Sequence, residues 1–100
     1  MSKVKLTDYV VEFLQKKGIH DFFGYQGTMI AHLVDSIEKN PHVRSHSSYQ
    51  EQGAAFAAWG YAQAKNACGC AYATSGPGAA NLLSGVADAY FDSLPVIFIT

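Results

Sequence analysis

Four segments of the chain are predicted to form helices. The first begins at a Thr7 cap and closes at Gly18, and the second begins at a Thr28 cap and stops at 40–41, an Asn-Pro pair. Two further helices, over 52–64 and 79–90, carry almost no charge and are rich in small residues. Small residues on several sides of a helix allow neighbouring backbones to come close, so we expect 52–64 to pack on more than one side.

Four short segments that follow these helices are predicted to form strands, of which 43–47 is a weak candidate. They cover 19–23, 43–47, 70–74 and 96–99. The last is an unbroken apolar run, which is typical of a parallel strand covered on both faces. Because strands and helices alternate, the sequence predicts an α/β fold with a doubly wound parallel sheet and helices on both faces. No helix follows the final strand, so we expect residues 1–100 to be part of one incomplete domain in a longer chain.

The composition favours a globular protein and excludes two classes of partner. Apolar residues make up 49% and charged residues 15% of the chain. A net charge of -1 provides no basic field to hold nucleic acid phosphates. No apolar run reaches the roughly 18 residues of a membrane helix, and the N-terminus lacks a signal-peptide pattern. We therefore expect a cytoplasmic protein without a nucleic acid or membrane partner.

Charge is distributed unevenly along the chain. After Glu51, the only charged residues are Lys65, Asp88 and Asp92. A surface with so little charge is expected to be covered by further domains or by a partner subunit. Cys68 and Cys70 are interpreted as small buried thiols, since a pair this close in sequence forms neither a disulfide staple nor a recognisable metal site. No metal-ligating residues are predicted.

Three loops are candidates for a ligand site. In doubly wound sheets, ligands bind where the strands end at their carboxyl edge, so the loops at 26–29, 49–51 and 74–78 are expected to converge there. Glu51 is the only acidic residue in these loops. The start of the following helix favours its charged form, whereas burial among apolar neighbours favours the neutral form. Such an acid can exchange a proton with a ligand, although a glutamate in a first helical turn is also commonplace.

The glycine-rich turn after the third strand is a weaker signal. Gly76-Pro77-Gly78 matches neither the dinucleotide-binding nor the phosphate-loop pattern, and a tight turn lining a pocket is the preferred interpretation. Ser75 lies in this turn but lacks the surrounding pattern and the histidine-acid pair of a serine hydrolase.

Taken together, these segments resemble the N-terminal pyrimidine-binding domain of thiamine-diphosphate enzymes, and most closely the acetolactate synthase group. The stretches that carry the resemblance occur in the order found in the family, at 23–27, 51–62, 74–81 and 89–95. They extend over most of the chain. The resemblance implies the thiamine-diphosphate-binding fold, here incomplete.

The resemblance also implies roles for individual residues. Glu51 matches the catalytic glutamate, whose carboxyl group would hydrogen-bond N1′ of the cofactor's aminopyrimidine and so activate the cofactor. Thr28 and Met29 would face the substrate. The residues placed along the cofactor pocket, besides Glu51, are Gln26, Gly27, Thr28, Thr74, Ser75 and Asn81. Turn formation and helix capping are equally good interpretations of these positions.

The implied enzyme is a transferase or lyase of branched-chain amino-acid biosynthesis that acts on a 2-oxo acid by decarboxylation and carboligation. Its diphosphate and Mg²⁺ would be bound mainly by a Gly-Asp-Gly motif in a separate domain, usually of the other subunit of a homodimer or tetramer. That motif is not present in residues 1–100, so we expect these residues alone to be inactive. The charge-poor helices after Glu51 are the candidates for the subunit interface.

Two departures from the family pattern leave the substrate open. Acetolactate synthases usually have Tyr-Pro-Gly-Gly-Ala where this chain has Tyr-Gln-Gly-Thr-Met at 25–29, and usually have a histidine where this chain has Gln50. A decarboxylase or hydrolase of another 2-oxo or diketone substrate is therefore an alternative. A noncatalytic α/β interaction module is a second one.

Overall fold

The computed structural model describes residues 2–100, in which four helices alternate with four strands. In chain order these are α1 (Leu6–Lys16), β1 (Asp21–Gly24), α2 (Ala31–Lys39), β2 (Arg44–Ser47), α3 (Glu51–Lys65), β3 (Gly69–Tyr72), α4 (Pro77–Phe91) and β4 (Val96–Ile99). All strand pairs are parallel, and the sheet order is β2-β1-β3-β4. The predicted α/β fold with a parallel sheet is confirmed.

Helices cover both faces of the sheet, as predicted. On one face, α1 and α2 pack against Phe22, Cys70 and Tyr72 of the strands. On the other face, α3 and α4 pack against Ala71 and Ala73. Neighbouring residues of β3 thus contribute to opposite cores, because successive side chains of a strand point to opposite faces. All of β3 is buried, which places it at the centre of the structure.

Glycine allows α3 to lie very close to its neighbours. A Cβ atom built on Gly85 of α4 would lie 2.3 Å from the Cβ of Ala55, closer than real carbon atoms approach. A Cβ on Gly69 of β3 would lie 2.3 Å from the carbonyl oxygen of Ala58. The helix is therefore packed on two sides, as its small residues predicted.

The predicted caps at Thr7 and Thr28 were wrong. Helix α1 begins at Leu6, with Lys5 at the cap position, and the Thr7 hydroxyl lies 2.7 Å from the Ser36 hydroxyl instead. Thr28 belongs to a 3-10 turn, Thr28–Ile30, that leads into α2. At Thr7, the hydroxyl bonds across the contact between α1 and α2 instead of capping a helix. At Thr28, the tighter 3-10 turn takes the place of a cap.

The strand β4 has the predicted residues and is covered on both faces, as its unbroken apolar run predicted. Ile97 and Ile99 pack against the core on one face of the sheet, and Val96 and Phe98 pack against the core on the other. The strand pairs only with β3 among the described residues, and all four of its side chains remain partly exposed.

A buried carboxylate links the other edge strand to the sheet. The side chain of Asp21 on β1 is 5% exposed and accepts hydrogen bonds from Arg44 Nε and Nη2 at 3.0 and 3.2 Å. His46 Nε2 lies 2.7 Å from Asp21 Oδ1. Burial acts to raise the pKa of Asp21, but hydrogen bonds from His46, Arg44 and Tyr61 outweigh it and lower the pKa below the usual 3.8. The pair Asp21 and Arg44 also sits in register across β1 and β2.

We predict that Asp21→Asn lowers the free energy of unfolding by about 1–3 kcal/mol near neutral pH, since Arg44 is largely exposed and the pair is only partly shielded. The folded-state pKa of Asp21 is lowered, so its contribution is complete above the usual carboxyl pKa and is lost as the pH falls through the folded value. Urea unfolding of the full-length protein across acid pH measures this. If the difference in free energy of unfolding between parent and variant stayed constant as the pH is lowered, the prediction would be contradicted.

A second prediction concerns the contact between α3 and α4. Gly85→Ala in the full-length protein should reduce the free energy of unfolding by about 1–3 kcal/mol, because the added methyl overlaps Ala55. Gly60→Ala is the matched control, since a Cβ at this helical glycine has no atom within 4 Å. Alanine there should be neutral or stabilise by up to about 1 kcal/mol. Equal unfolding midpoints for the two variants would show that the contact between Gly85 and Ala55 has room for a methyl group.

Candidate functional site

The predicted loops converge at the carboxyl edge of the sheet, around Thr74. The Met29 backbone N–H donates to Thr74 Oγ1 at 3.3 Å. A Cβ on Gly27 would lie 2.5 Å from the Cβ of Thr74, and a Cβ on Gly78 would lie 2.9 Å from its Cγ2. Thr74 therefore holds the loop that follows β1 against the turn that precedes α4.

Glu51 lies at the same edge, as the first residue of α3. It is partly buried, and its Oε2 accepts a hydrogen bond from Asn81 Nδ2 of α4 at 3.2 Å. Its Oε1 faces Gly78, where a Cβ would be 3.3 Å away. None of the ion pairs found within residues 2–100 involves Glu51.

The start of α3 is fixed by Gln50 rather than by the glutamate. The Gln50 side-chain Oε1 accepts from the Gly53 backbone N–H at 2.8 Å, as expected of an N-cap. Glu51 is therefore not needed to satisfy that N–H group, and its carboxylate turns towards α4. At the start of α4, Gly76 has a φ of +83°, a backbone conformation that glycine adopts readily, and Pro77 is the first helical residue.

The other predicted site residues are exposed, and no contact with Glu51 is found for them within residues 2–100. Gln26 lines two surface grooves of about 340 and 620 Å³, and Thr28 lines the larger one. Both residues are exposed, and neither groove is lined by Glu51. The Met29 side chain is 74% exposed, and Ser75 is exposed in the turn before α4. The structure thus links Gly27, Thr74 and Glu51 through successive contacts by way of Gly78, and bonds Asn81 to Glu51, whereas Gln26, Thr28 and Ser75 are exposed.

The carboxylate of Glu51 is placed to exchange a hydrogen bond with a ligand at this edge. Glu51 offers one carboxylate oxygen held by an amide and another next to a glycine that carries no side chain. A carboxylate can accept a hydrogen bond from a ring nitrogen or, when protonated, donate to one. Cβ atoms on Gly27 and Gly78 would overlap Thr74, so these glycines let the loop after β1 and the start of α4 pack against that residue. The position of Glu51 agrees with the contact to an aminopyrimidine that the sequence resemblance implies.

Two features of the structure were not found from the sequence. Gly78 was considered only as part of a turn, although its contact with Glu51 shapes the site. The cluster of Asp21, Arg44 and His46 was missed, although alternate residues of two paired strands share one face. Finding it required the register between β1 and β2.

Two negative findings concern the described residues only. Across 2–100, no helix is both long and apolar enough to cross a membrane. In the same part of the chain, no three His, Cys, Asp or Glu side chains are grouped so that they could hold a metal ion.

Comparison with known proteins gives consistent matches along the chain. Residues 4–100 match the family model described as "Thiamine pyrophosphate enzyme, N-terminal TPP binding domain". "Probable acetolactate synthase 2, chloroplastic" of Oryza sativa subsp. japonica is 44% identical over 100 residues, which is 100% of this chain and 15% of the relative. "Acetolactate synthase, chloroplastic" of Arabidopsis thaliana is 41% identical over 96 residues, 96% of this chain and 14% of the relative. The chain therefore spans about a seventh of the length of these relatives.

The expectation of a cytoplasmic protein is contradicted by these relatives, whose names place them in the chloroplast. That expectation rested on composition and on the first residues of the sequence. A transit peptide is separate from the folded domain that it targets, so the residues of the domain do not indicate the compartment.

We predict that Thr74→Val loosens the loop after β1. Valine preserves the shape of threonine but removes the hydroxyl that accepts from the Met29 N–H. The Met29 amide should then exchange its hydrogen about tenfold faster, the effect of losing a hydrogen bond worth about 1.4 kcal/mol. Hydrogen exchange by NMR in the full-length protein measures this. Thr74→Ser, which keeps the hydroxyl, is the control, and equal protection in both variants would contradict the role.

Proposed function

The chain belongs to the thiamine pyrophosphate enzyme family, and from that premise we propose that it forms the first part of the pyrimidine-binding domain of an acetolactate-synthase-like enzyme. The proposed reaction is decarboxylation of a 2-oxo acid and transfer of the remaining fragment to an acceptor. The proposed catalytic residue is Glu51, which hydrogen-bonds N1′ of the cofactor's aminopyrimidine.

The observation that carries the proposal is the position of Glu51. It is the only acid in the three loops at the carboxyl edge, it is partly buried, and it is bonded to Asn81 rather than to a basic residue. A structural glutamate in a first helical turn would be expected to point to solvent or to pair with a nearby cation. An acid kept near a glycine turn is instead arranged to exchange a proton with a ligand.

The residues of this chain would supply proton placement and shape. Thiamine diphosphate, when bound, supplies the electron sink for decarboxylation. Glu51 would hold a proton at Oε1 and share it with the pyrimidine ring. Gly27 and Gly78 would keep the backbone close to Thr74, and Thr74 would hold the loop at 26–29 at the carboxyl edge. Met29, exposed at the end of this loop, would face the substrate.

The remaining cofactor contacts are proposed to come from outside this chain. The Gly-Asp-Gly motif that binds diphosphate and Mg²⁺ in the family does not occur in residues 1–100. The proposed source is a separate domain, in a second subunit of a homodimer or tetramer. Exposed apolar side chains on α4 support such an interface, with Leu83 64%, Tyr90 79% and Phe91 80% exposed.

One observation favours a second candidate substrate. The loop that would face the substrate carries Gln26, Thr28 and Met29, where acetolactate synthases usually have proline, glycine and alanine. The side chains of this loop are therefore larger and more polar, which changes the space at the rim without changing Glu51. A decarboxylase or hydrolase of another 2-oxo or diketone substrate would use the same cofactor chemistry.

We predict that Glu51→Gln in the full-length protein slows exchange of the cofactor's C2 proton by about 100- to 10,000-fold, because the amide cannot exchange a proton with N1′. Quench-flow with deuterium and proton NMR measures the exchange rate. Cofactor affinity, measured by calorimetry, should fall much less, since the shape of the side chain is preserved.

Glu12→Gln is the matched control for this experiment. Glu12 lies on an exposed face of α1 and pairs with Lys16, away from the carboxyl edge. It should leave both the exchange rate and the affinity unchanged. An exchange rate in Glu51→Gln equal to that of the parent would refute the proposed role of Glu51.

A further inference from the structure

The two oxygens of the Glu51 carboxylate have different surroundings. Oε2 is bonded to Asn81 Nδ2 at 3.2 Å, whereas Oε1 lies next to the backbone of Gly78. Gly78 and Asn81 are three residues apart in α4, so they lie on the same face of the helix. Helix α4 therefore bonds one oxygen of Glu51 and, among the described residues, provides no side-chain hydrogen bond to the other.

The hydrogen bond has only one possible direction. An ionised carboxylate accepts and cannot donate, so the Asn81 amide must present its nitrogen to Glu51. Its attachment to a helix makes Asn81 a rigid partner. The helix itself is held close to α3 one turn further on, where Gly85 contacts Ala55. The distance between Asn81 and Glu51 is therefore set by helix packing rather than by a mobile loop.

From this arrangement we infer that Asn81 is a positioning residue, which holds Glu51 Oε2 so that Oε1 is presented to the cofactor's pyrimidine ring. The inference rests on the proposed function of Glu51 and differs from the sequence-based expectation that Asn81 contacts the cofactor itself. Asn81 acts on the ligand only through Glu51.

A double-mutant cycle in the full-length protein, loaded with thiamine diphosphate, separates these two roles. Asn81→Ala should slow C2 proton exchange by about 10- to 100-fold, because the carboxylate loses its fixed orientation. In a Glu51→Gln background, the same substitution should cause no further loss. Asn81→Asp, which keeps the shape but replaces the donor by an acceptor, should slow exchange at least as much as Asn81→Ala.

A second readout does not depend on activity. In the apo-protein with ¹³C-labelled glutamate carboxyl groups, the Glu51 resonance, identified by its loss in Glu51→Gln, should move in Asn81→Ala. Gln63→Ala, which removes an exposed amide from α3, is the control and should leave it in place. Asn81 is exposed and alanine favours helix, so the variant is expected to fold.

Two results would overturn the inference. One is an unchanged exchange rate and carboxyl resonance in Asn81→Ala. The other is an effect of Asn81→Ala that persists in the Glu51→Gln background together with a loss of cofactor affinity, which would place Asn81 on the cofactor. Failure of the proposed function is distinguished from both, because in that case Glu51→Gln itself would leave exchange unchanged.

Discussion

The close approach of α3 and α4 is the constraint on which the site depends. Three contacts join the two helices in the same order along both, namely Glu51 with Asn81, Ala55 with Gly85, and Trp59 Nε1 with Asp92 Oδ2 at 3.2 Å. The helices therefore run side by side in one direction. Only glycine at 85 allows this spacing, because any side chain there would overlap Ala55. The polar contact between Glu51 and Asn81 is in this way supported by apolar packing in the helical turns that follow it.

The same constraint explains the composition of α3. Where α3 touches α4 and β3 there is room only for small side chains, and its buried residues are all alanines, Ala54, Ala55, Ala58 and Ala62. Small side chains bury little area each, so the stability of this region comes from close contact rather than from large apolar groups. Larger residues of the core lie on the opposite face of the sheet, with Phe22, Tyr72 and Ile37.

Much of this architecture could be predicted from the sequence because local patterns determine it. The run at 96–99 was predicted with its observed bounds, and the convergence of the three loops follows from parallel strands alone. The predicted caps at Thr7 and Thr28 failed because tertiary contacts, which a local pattern does not contain, decide where those helices begin.

The site was predictable in outline and not in its contacts. The position of Glu51 at the end of a loop was visible as the only acid among the converging segments. Its bond to Asn81 joins residues 30 positions apart, and that distance in sequence carries no local signal. The exposure of Gln26, Thr28 and Ser75 also depends on how the loops fold, because each of these residues could equally serve as a turn former.

The buried carboxylate of Asp21 has a consequence at the opposite end of the sheet. Asp21 faces Arg44 across the first pair of β1 and β2, and only three residues separate Ser47, the last residue of β2, from Glu51. A slip of β2 by one residue would break that ion pair and move the start of α3 by about 3.3 Å along the strand direction. The ion pair at the amino end of the strands thereby fixes where Glu51 emerges at their carboxyl end.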